Sequence, residues 1–428
     1  LGRVARVEKG LGAFVDIGLR AHGFLSGHPK GGGPSEGERV LVQVTADAFG
    51  AKGPKLSTQV LLPGPNLALV PAWPGLSAPR ARTDAEKARA KALLAHVTHD
   101  LGIGKRHGLM ARGADLPEDG ELLRAEAAGL ARQWAAIEAA AKEKTPPARL
   151  SGNDDPLMRL LVWFAPWKPD ACVIEGADAF AKARGFCRDN LPELGRAIEA
   201  HRGPSPLFAA REAEPDIELL SARRVPLPSG ASILVEETET LTAIDVDTGA
   251  FHSRKGSGDM ALRANLDAIP EIARQIRLRN IAGLVLADLL RLRGSDQRRR
   301  MIEALRNETE SDRVPTHVHG FTATGLVEIT RERGRAALSE ILFDDWAGDG
   351  PGRMARAETV AFDVLRAARR QGMGRHGALR ALVSPVVASY LAHEGLADLR
   401  AVEAELARTL LIDTDPALAQ DRYSIAAL

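Results

Sequence analysis

Asp245, Asp247 and Asp288 are the residues of this 428-residue chain whose type and spacing could do chemistry. Asp245 and Asp247 lie in TAIDVDTGAF, directly after apolar Ala243 and Ile244, and Asp288 ends LVLAD, 43 residues beyond Asp245. A half-buried strand avoids carboxylates, because desolvating them costs several kcal/mol unless a cation or a hydrogen-bond donor meets them. Clustered carboxylates also raise one another's pKa unless a positive charge sits between them. Mg²⁺ suits such a cluster: one or two carboxylates, several waters and substrate phosphate oxygens complete its octahedron. An ion held this way activates a water and offsets charge on a phosphoryl group during in-line attack. The same residues admit a plainer reading, in which Asp247-Thr248-Gly249 makes a turn and Asp288 caps a helix or pairs with an arginine.

The elements around these acids read as a βαβ unit: strand 241–247, helix 259–280, strand 283–290. The helix carries Leu262, Leu266, Ile269, Ile272 and Ile276 at three- and four-residue steps, and Pro270 is expected to start a turn or kink it. Such units set their strands side by side and parallel, and ligands collect beyond the carboxyl ends. Asp245 and Asp288 should therefore end near each other, with Asp247 on the same face as Asp245. Upstream, RRVPLPSGASILVEETETLTAIDVDTG reads as a hairpin-like pair of strands. Downstream, SDQRRRMIEALRNETESD reads as a helix capped by Ser295, and THVHGFTATGLVEITRER as strand. Arginines 274, 277, 279, 291, 293, 298, 299, 300, 331, 333 and 335 crowd this region. They suit a polyanion held by its phosphates, although solvated helix faces would give the same pattern.

Residues 1–60 read as short strands separated by glycines, which suggests a small barrel or sandwich. In GAFVDIG, Ala13, Val15 and Ile17 share one face and Phe14 and Asp16 the other. Phe14 then points away from the core, with Phe24 two strand-lengths on, although a reversed face or a small satellite cluster would fit the same residues. Residues 121–144 are strongly helical, TPPARLSGNDDP is a first linker, 203–220 are mostly irregular, 336–356 form a second linker and 357–428 a small αβ unit. With 57 basic and 56 acidic residues the net charge is +1, so total charge points to neither nucleic acid nor membrane. A 45% hydrophobic and 26% charged composition is that of a soluble globular chain. No run of about 18 apolar residues is present, so no membrane span is expected. Cys172 and Cys187 suggest neither a disulfide framework nor a zinc knuckle and fit a reducing cytoplasm. No signal peptide is visible, and the chain opens at Leu1 inside a strand, so further residues are expected upstream. His96 and His99 have metal-binding spacing but no third ligand nearby, and no zinc site is expected there. The histidines of HVH (317–319) read as strand surface.

LTAIDVDTG, NLDAIPEIARQIRLRNIAGLVLADLLRL and GLVEITRER together resemble the catalytic region of the ribonuclease E/G family. The resemblance extends to LGRVARVEKGLGAFVDIGLRAHGFLSG, GAKGPKLSTQVLLPG, VPLPSGASILVEETE and LVSPVVASYLAHE. It implies an α/β multidomain chain. Residues 1–60 would be an OB-fold (S1-type) β-barrel that binds RNA, 61–150 a 5′-sensor-like region and 151–222 an RNase H-like region. Residues 223–340 would be a DNase I-like catalytic subdomain, 341–356 a linker and 357–428 a small C-terminal αβ domain. The implied activity is Mg²⁺-dependent endonucleolytic cleavage of single-stranded RNA in processing or decay, leaving a 5′ phosphate and a 3′ hydroxyl. By position, Asp245 and Asp288 correspond to the metal ligands, with Asp247 in support. Phe14, Phe24 and Lys52 correspond to residues that stack on and hold RNA, and Arg112 to a 5′-sensor residue.

The departures are specific. The family usually has Asn at Asp247, and Arg291 replaces a second acid. RGAD at 112–115 replaces Arg-Thr-Ala-Gly, and Arg80 is displaced. The Cys-Pro-x-Cys link is absent, so this is a short form with no structural zinc expected, and self-association would not run through a zinc link. A non-catalytic RNA-binding or regulatory protein on the same scaffold is the rival reading.

Overall fold

The computed structural model describes the chain except residues 28–32, 49–51, 79–82, 100, 102, 104–105, 113–115, 118, 153–154, 204, 249–256, 293, 346–352 and 373–376. It is a mixed α/β molecule with several sheets, divided into two compact units, Leu1–Arg202 and Gly203–Leu428.

The first unit opens with β1 (Gly2–Glu8), β2 (Gly12–Asp16), β3 (Gly23–Ser26), β4 (Arg39–Val40), β5 (Gln43–Ala46) and β6 (Lys55–Ser57). They form a six-stranded sheet in the order β4-β1-β2-β3-β6-β5. The stretch ERVLVQVTAD, which reads as one strand, is split between the two outer strands β4 and β5. Only Leu41 and Val42 join them, and that step spans at most about 11 Å of extended chain. The sheet must curl until its edges approach, a barrel-like wall around Val4, Ala13, Val15, Leu25, Val40 and Leu56. Alternation does the sorting: Ala13 and Val15 are buried, while Phe14 and Phe24 lie on the outer face.

A second sheet follows, of β7 (Leu62–Pro63), β8 (Leu67–Val70), β9 (Gly75–Ser77) and β10 (Gly108–Ala111), in the order β7-β8-β10-β9. Helices α1 (Asp84–Thr98) and α2 (Gly120–Glu143) share its core through Leu94, Leu123, Ala127 and Leu130. The Asp119 carboxylate accepts from the N–H groups of Glu121 and Leu122 and so starts α2. The unit ends with α3 (Pro156–Phe164), β11 (Cys172–Ile174), α4 (Ala177–Asn190), α5 (Pro192–Gly195) and β12 (Ile198–Ala200).

The second unit begins with two short helices, α6 (Leu207–Ala210) and α7 (Ala213–Leu219), where an irregular segment is expected from sequence. Neither is long enough to be stable alone. Long-range contacts hold α7: Arg274 pairs with Asp216, and Arg279 donates to the carbonyls of Leu219 and Ala222. Next come β13 (Arg224–Pro226), β14 (Ser232–Glu237), β15 (Leu241–Asp247), α8 (Ser257–Leu278), β16 (Gly283–Asp288), α9 (Ser295–Glu310), β17 (Thr316–Phe321) and β18 (Val327–Arg331). The strands form a sheet in the order β13-β14-β15-β16-β18-β17, so the expected hairpin is a three-stranded meander. Strands β15 and β16 are parallel neighbours, and α8 and α9 cover the sheet's inner face. Ile244, Val246, Val285 and Ala287 pack against Ile269, Ile272, Ile276, Met301 and Leu305. Each of these side chains larger than alanine contributes about 1.5–3 kcal/mol when fully buried. The same packing carries α8 through Pro270 without ending it. Helix α9 is capped by Gly294 in an extended conformation, and Ser295 is its first helical residue rather than its cap.

Beyond the sheet lie α10 (Leu338–Leu342) and the antiparallel pair β19 (Phe343–Asp345) and β20 (Arg353–Ala355), which occupy much of the second expected linker. The last elements are α11 (Ala357–Gly372), β21 (Leu379–Val383), α12 (Pro385–Ala392), α13 (Leu396–Leu406), β22 (Leu410–Thr414) and β23 (Ser424–Ala427). They form a three-stranded sheet, β22-β21-β23, with its own helices and apolar core.

The end of the β16–β18 ladder remote from the acids is locked by a buried ion pair. Arg331 reaches Asp312 at 2.7 Å, with side-chain exposures of 4% and 5%, and also binds the Ile281 carbonyl and Asn280 Oδ1. Removing one partner leaves an uncompensated buried charge. Asp312→Ala is expected to destabilise the second unit by about 3–5 kcal/mol, read from urea unfolding of the whole chain.

Candidate active site

The register of β15 and β16 pairs Leu241 with Leu284, Ala243 with Leu286 and Asp245 with Asp288. On β15 the even positions 242, 244 and 246 are buried and the odd positions face outward. On β16 the buried positions are 285 and 287. Asp245 and Asp288 are therefore direct cross-strand neighbours on the outer face, at the carboxyl ends of two strands whose axes are about 4.8 Å apart. Asp247 is one alternation further along β15. The two main acids of the sequence reading are brought together, as the βαβ argument requires.

Their proximity has an electrostatic cost. The Asp245 carboxyl is held above the usual carboxylate range, first by partial burial, then by the charge of Asp288 and then by that of Asp247. A hydrogen bond from the Val246 backbone N–H and the charge of Arg224 act in the opposite direction. Arg224, which the sequence reading did not single out, meets the third acid: its Nη1 lies 2.8 Å from Asp247 Oδ2 and 2.6 Å from Ser232 Oγ. Alternation carried through two hairpins could have found it, because Arg224 pairs with Leu234 and Leu234 with Asp245 on one face.

Asp247 is thus drawn towards Arg224, and two carboxylates are left facing each other. An all-oxygen pair of this kind suits a hard divalent cation that keeps most of its waters. Among the described residues no group of three or more His, Cys, Asp or Glu side chains is arranged to hold a metal.

Most of the arginines expected to line a polyanion path are engaged with the chain itself. Arg279 and Arg331 are buried, Arg277 donates to the Glu308 carbonyl, and Arg274 and Arg333 pair with Glu271 and Glu340. Arg298 lies over the Phe321 ring, 5.8 Å from its centroid. Arg291 and Arg300 are exposed, and Arg293 is outside the described residues. His319 donates or accepts at Thr330 Oγ1, 2.8 Å away, on the strand surface where HVH was expected.

In the first unit, Phe14 and Phe24 are register partners, with ring centroids 5.4 Å apart. Arg6 lies over Phe14 at 5.1 Å and is paired in register with it. Lys55 is the register partner of Phe24 on the other side, and is exposed. Cation, two rings and cation so form one row across β1, β2, β3 and β6. Both rings are marked by alternation along their strands, whereas the flanking Arg6 and Lys55 emerge only from the strand register. Lys52 is exposed.

Arg112 follows β10, and its guanidinium donates to the Gly64 carbonyl. It sits near Glu126, whose carboxylate accepts from the N–H groups of Asn66 and Leu67 at 2.9 and 2.8 Å. Burial nevertheless keeps Glu126 above the usual carboxylate range. Arg80 and Gly113 lie outside the described residues.

Because the folded pKa of Asp245 lies above the ordinary 3.8, folding favours its protonated form. Its contribution to stability is present below the unfolded pKa and lost as pH rises through the folded one. Asp245→Asn is expected to raise the melting temperature of the metal-free protein near neutral pH. That gain should disappear below pH about 4, where the wild-type carboxyl is protonated in both states. Differential scanning calorimetry across pH in the presence of a chelator checks this.

A sequence profile of the Ribonuclease E/G family matches residues 62–334. The Ribonuclease G of Escherichia coli (strain K12) is 30% identical over 453 aligned positions, which cover 100% of this chain and 91% of that protein. The Ribonuclease G of Haemophilus influenzae is 29% identical with the same coverage. The Ribonuclease E of Escherichia coli (strain K12) is 28% identical over 94% of this chain and 40% of its own length. With its family signature spanning more than half the sequence and full-length similarity on either side of it, the chain belongs to the ribonuclease E/G family.

Proposed function

We propose that this chain is a divalent-metal-dependent endoribonuclease that cleaves single-stranded RNA in processing or decay. The observation that carries the reading is the in-register Asp245–Asp288 pair at the strand tips, in a chain of this family. Mg²⁺ is the cation that best fits two carboxylates completed by water and phosphate oxygens. When bound, such an ion supplies Lewis acidity to a phosphodiester and to an attacking water. Asp245 and Asp288 would hold it, and the burial and mutual repulsion that raise the Asp245 pKa would both be offset by its charge. Asp247, fixed by Arg224, supports the pair from the side. Hydrolysis consumes one water: its oxygen bonds to phosphorus as the P–O3′ bond breaks, and a proton passes to the departing 3′ oxygen.

Residues 1–60 serve as the OB-type RNA-binding domain in this reading. Phe14 and Phe24 stack on successive bases, with Lys52 binding the backbone. An aromatic pair on the outer face of a small curled sheet is a sequence-tolerant stacking surface. Residues 61–150, with Arg112, act as a 5′-sensor-like region. Residues 151–222 are RNase H-like, 223–340 form the DNase I-like catalytic subdomain, and 341–356 link it to the small domain at 357–428. Among the described residues no helix is long and apolar enough to cross a membrane.

Asp245→Asn and Asp288→Asn should each reduce cleavage of a 5′-labelled, AU-rich single-stranded RNA by about 10³-fold or more, with RNA affinity retained. Full cleavage by either variant would refute the site. Absence of cleavage by the wild type with Mg²⁺, despite RNA binding, would favour the non-catalytic reading. Phe14→Ala and Phe24→Ala should each weaken binding of the same RNA by about 1–3 kcal/mol without altering Mg²⁺ affinity, measured by fluorescence anisotropy and calorimetry.

A further inference from the structure

Asp288 stands at the edge of its own support. The β16–β18 ladder ends at Ala287, paired with Val327, so among the described residues the register partner of Asp288 is Asp245 alone. Two residues later the backbone of Leu290 has left the sheet, and its polar groups need partners there. A single side chain supplies both. Asn265, on the crossover helix α8 and completely buried, donates from Nδ2 to the Leu290 carbonyl at 2.8 Å and accepts at Oδ1 from the Leu290 N–H at 2.9 Å. The donor and acceptor of Leu290 fix which way the amide faces. Leu289, between the clamp and Asp288, is itself buried.

We infer that Asn265 is a positioning residue for the metal centre: by clamping the Leu290 backbone it sets the Asp288 carboxylate opposite Asp245. The inference rests on the reading of these two acids as metal ligands. Asn265 does not touch the cation or the RNA. It gives Leu290 the hydrogen bonds a strand partner would give, three residues past Ala287, where the pairing with β18 stops. The crossover helix therefore does more than connect β15 to β16; it holds the far end of β16 in register with the strand it came from.

The test is calorimetric titration of the full chain with magnesium chloride, without RNA, alongside melting temperatures and steady-state kinetics. Loss of an outer-shell partner commonly weakens metal binding by about 10–100-fold. Asn265→Ala is expected to raise the Mg²⁺ dissociation constant within that range and to lower kcat, while KM for RNA changes little. Exchange of the Leu290 amide should accelerate. Ile272→Ala, a core truncation on the same helix, is the control for simple destabilisation; it should lower the melting temperature yet leave Mg²⁺ affinity within about twofold, below the outer-shell range. Asn265→Ser keeps a hydroxyl inside the clamp and disturbs packing less. It is expected to fall between wild type and Asn265→Ala, and it serves if the alanine variant does not fold. The inference is overturned if Asn265 and Ile272 variants of equal stability lose Mg²⁺ affinity equally. It is also overturned if the Leu290 amide is freed with no change in Mg²⁺ affinity. Wild-type Mg²⁺ binding that survives in Asp288→Asn would instead show that the underlying metal-site reading is wrong.

Discussion

Two carboxylates are placed opposite each other on adjoining parallel strands, and the rest of this sheet and its helices can be understood as what makes that placement tolerable. Asp245 and Asp288 share a register position at the carboxyl ends of β15 and β16. The partial burial of Asp245 and then the repulsion from Asp288 disfavour its ionisation, so the folded state holds a strained charge distribution. Such an arrangement persists only where surrounding interactions over-determine it. Here these are the apolar layer of Ile244, Val246, Val285 and Ala287 against α8 and α9, the Asn265 clamp beyond Asp288, and Arg224 beside Asp247.

The two ends of this sheet treat charge in opposite ways. At the end remote from the acids, Arg331 and Asp312 neutralise each other in a buried pair, and Arg279 is satisfied by Gln275 and the carbonyls ending α7. Those groups are structural: buried, paired and saturated. At the other end the acids are exposed and face each other. In the proposed function this end receives a cation and a phosphodiester, and such a site has to leave ligand capacity unspent, which costs stability locally and is offset elsewhere in the same sheet.

The first unit, proposed to bind RNA, follows a different physical logic. Its curled sheet buries one side chain of every alternate pair, which leaves Phe14 and Phe24 on the outside as a rigid double ring, with Arg6 and Lys55 on either side in the same row. Rings held in register by backbone pairing lose little freedom when a base stacks on them, and flanking cations suit a phosphate backbone. Positive charge beside the rings is thus local, in keeping with a net charge of only +1.

Much of this was legible from local periodicity. Alternation along GAFVDIG put Phe14 outside, three- and four-residue spacing marked the buried face of α8, and strand–helix–strand order brought Asp245 and Asp288 to one edge. These are short-range signals, set by the two-residue repeat of a strand and the 3.6-residue repeat of a helix. The family resemblance then implied a metal-binding role for such an edge. What the sequence left open was which partner comes alongside. The same arginine-rich run contained the buried Arg279, the exposed Arg291 and the ring-stacked Arg298. One apparent strand became β4 and β5 on opposite edges of a curled sheet, and an apparently irregular segment became α6 and α7. Arg224 is 23 residues from Asp247, and Asn265 is 25 from Leu290. Contacts of that reach have no periodic signature; they exist only once register and packing choose the neighbours. The sequence alone therefore determined the acids, the rings and the order of the elements that carry them. Tertiary structure decided which charges were neutralised and which were left to work, because neutralisation depends on proximity that only the closed fold creates.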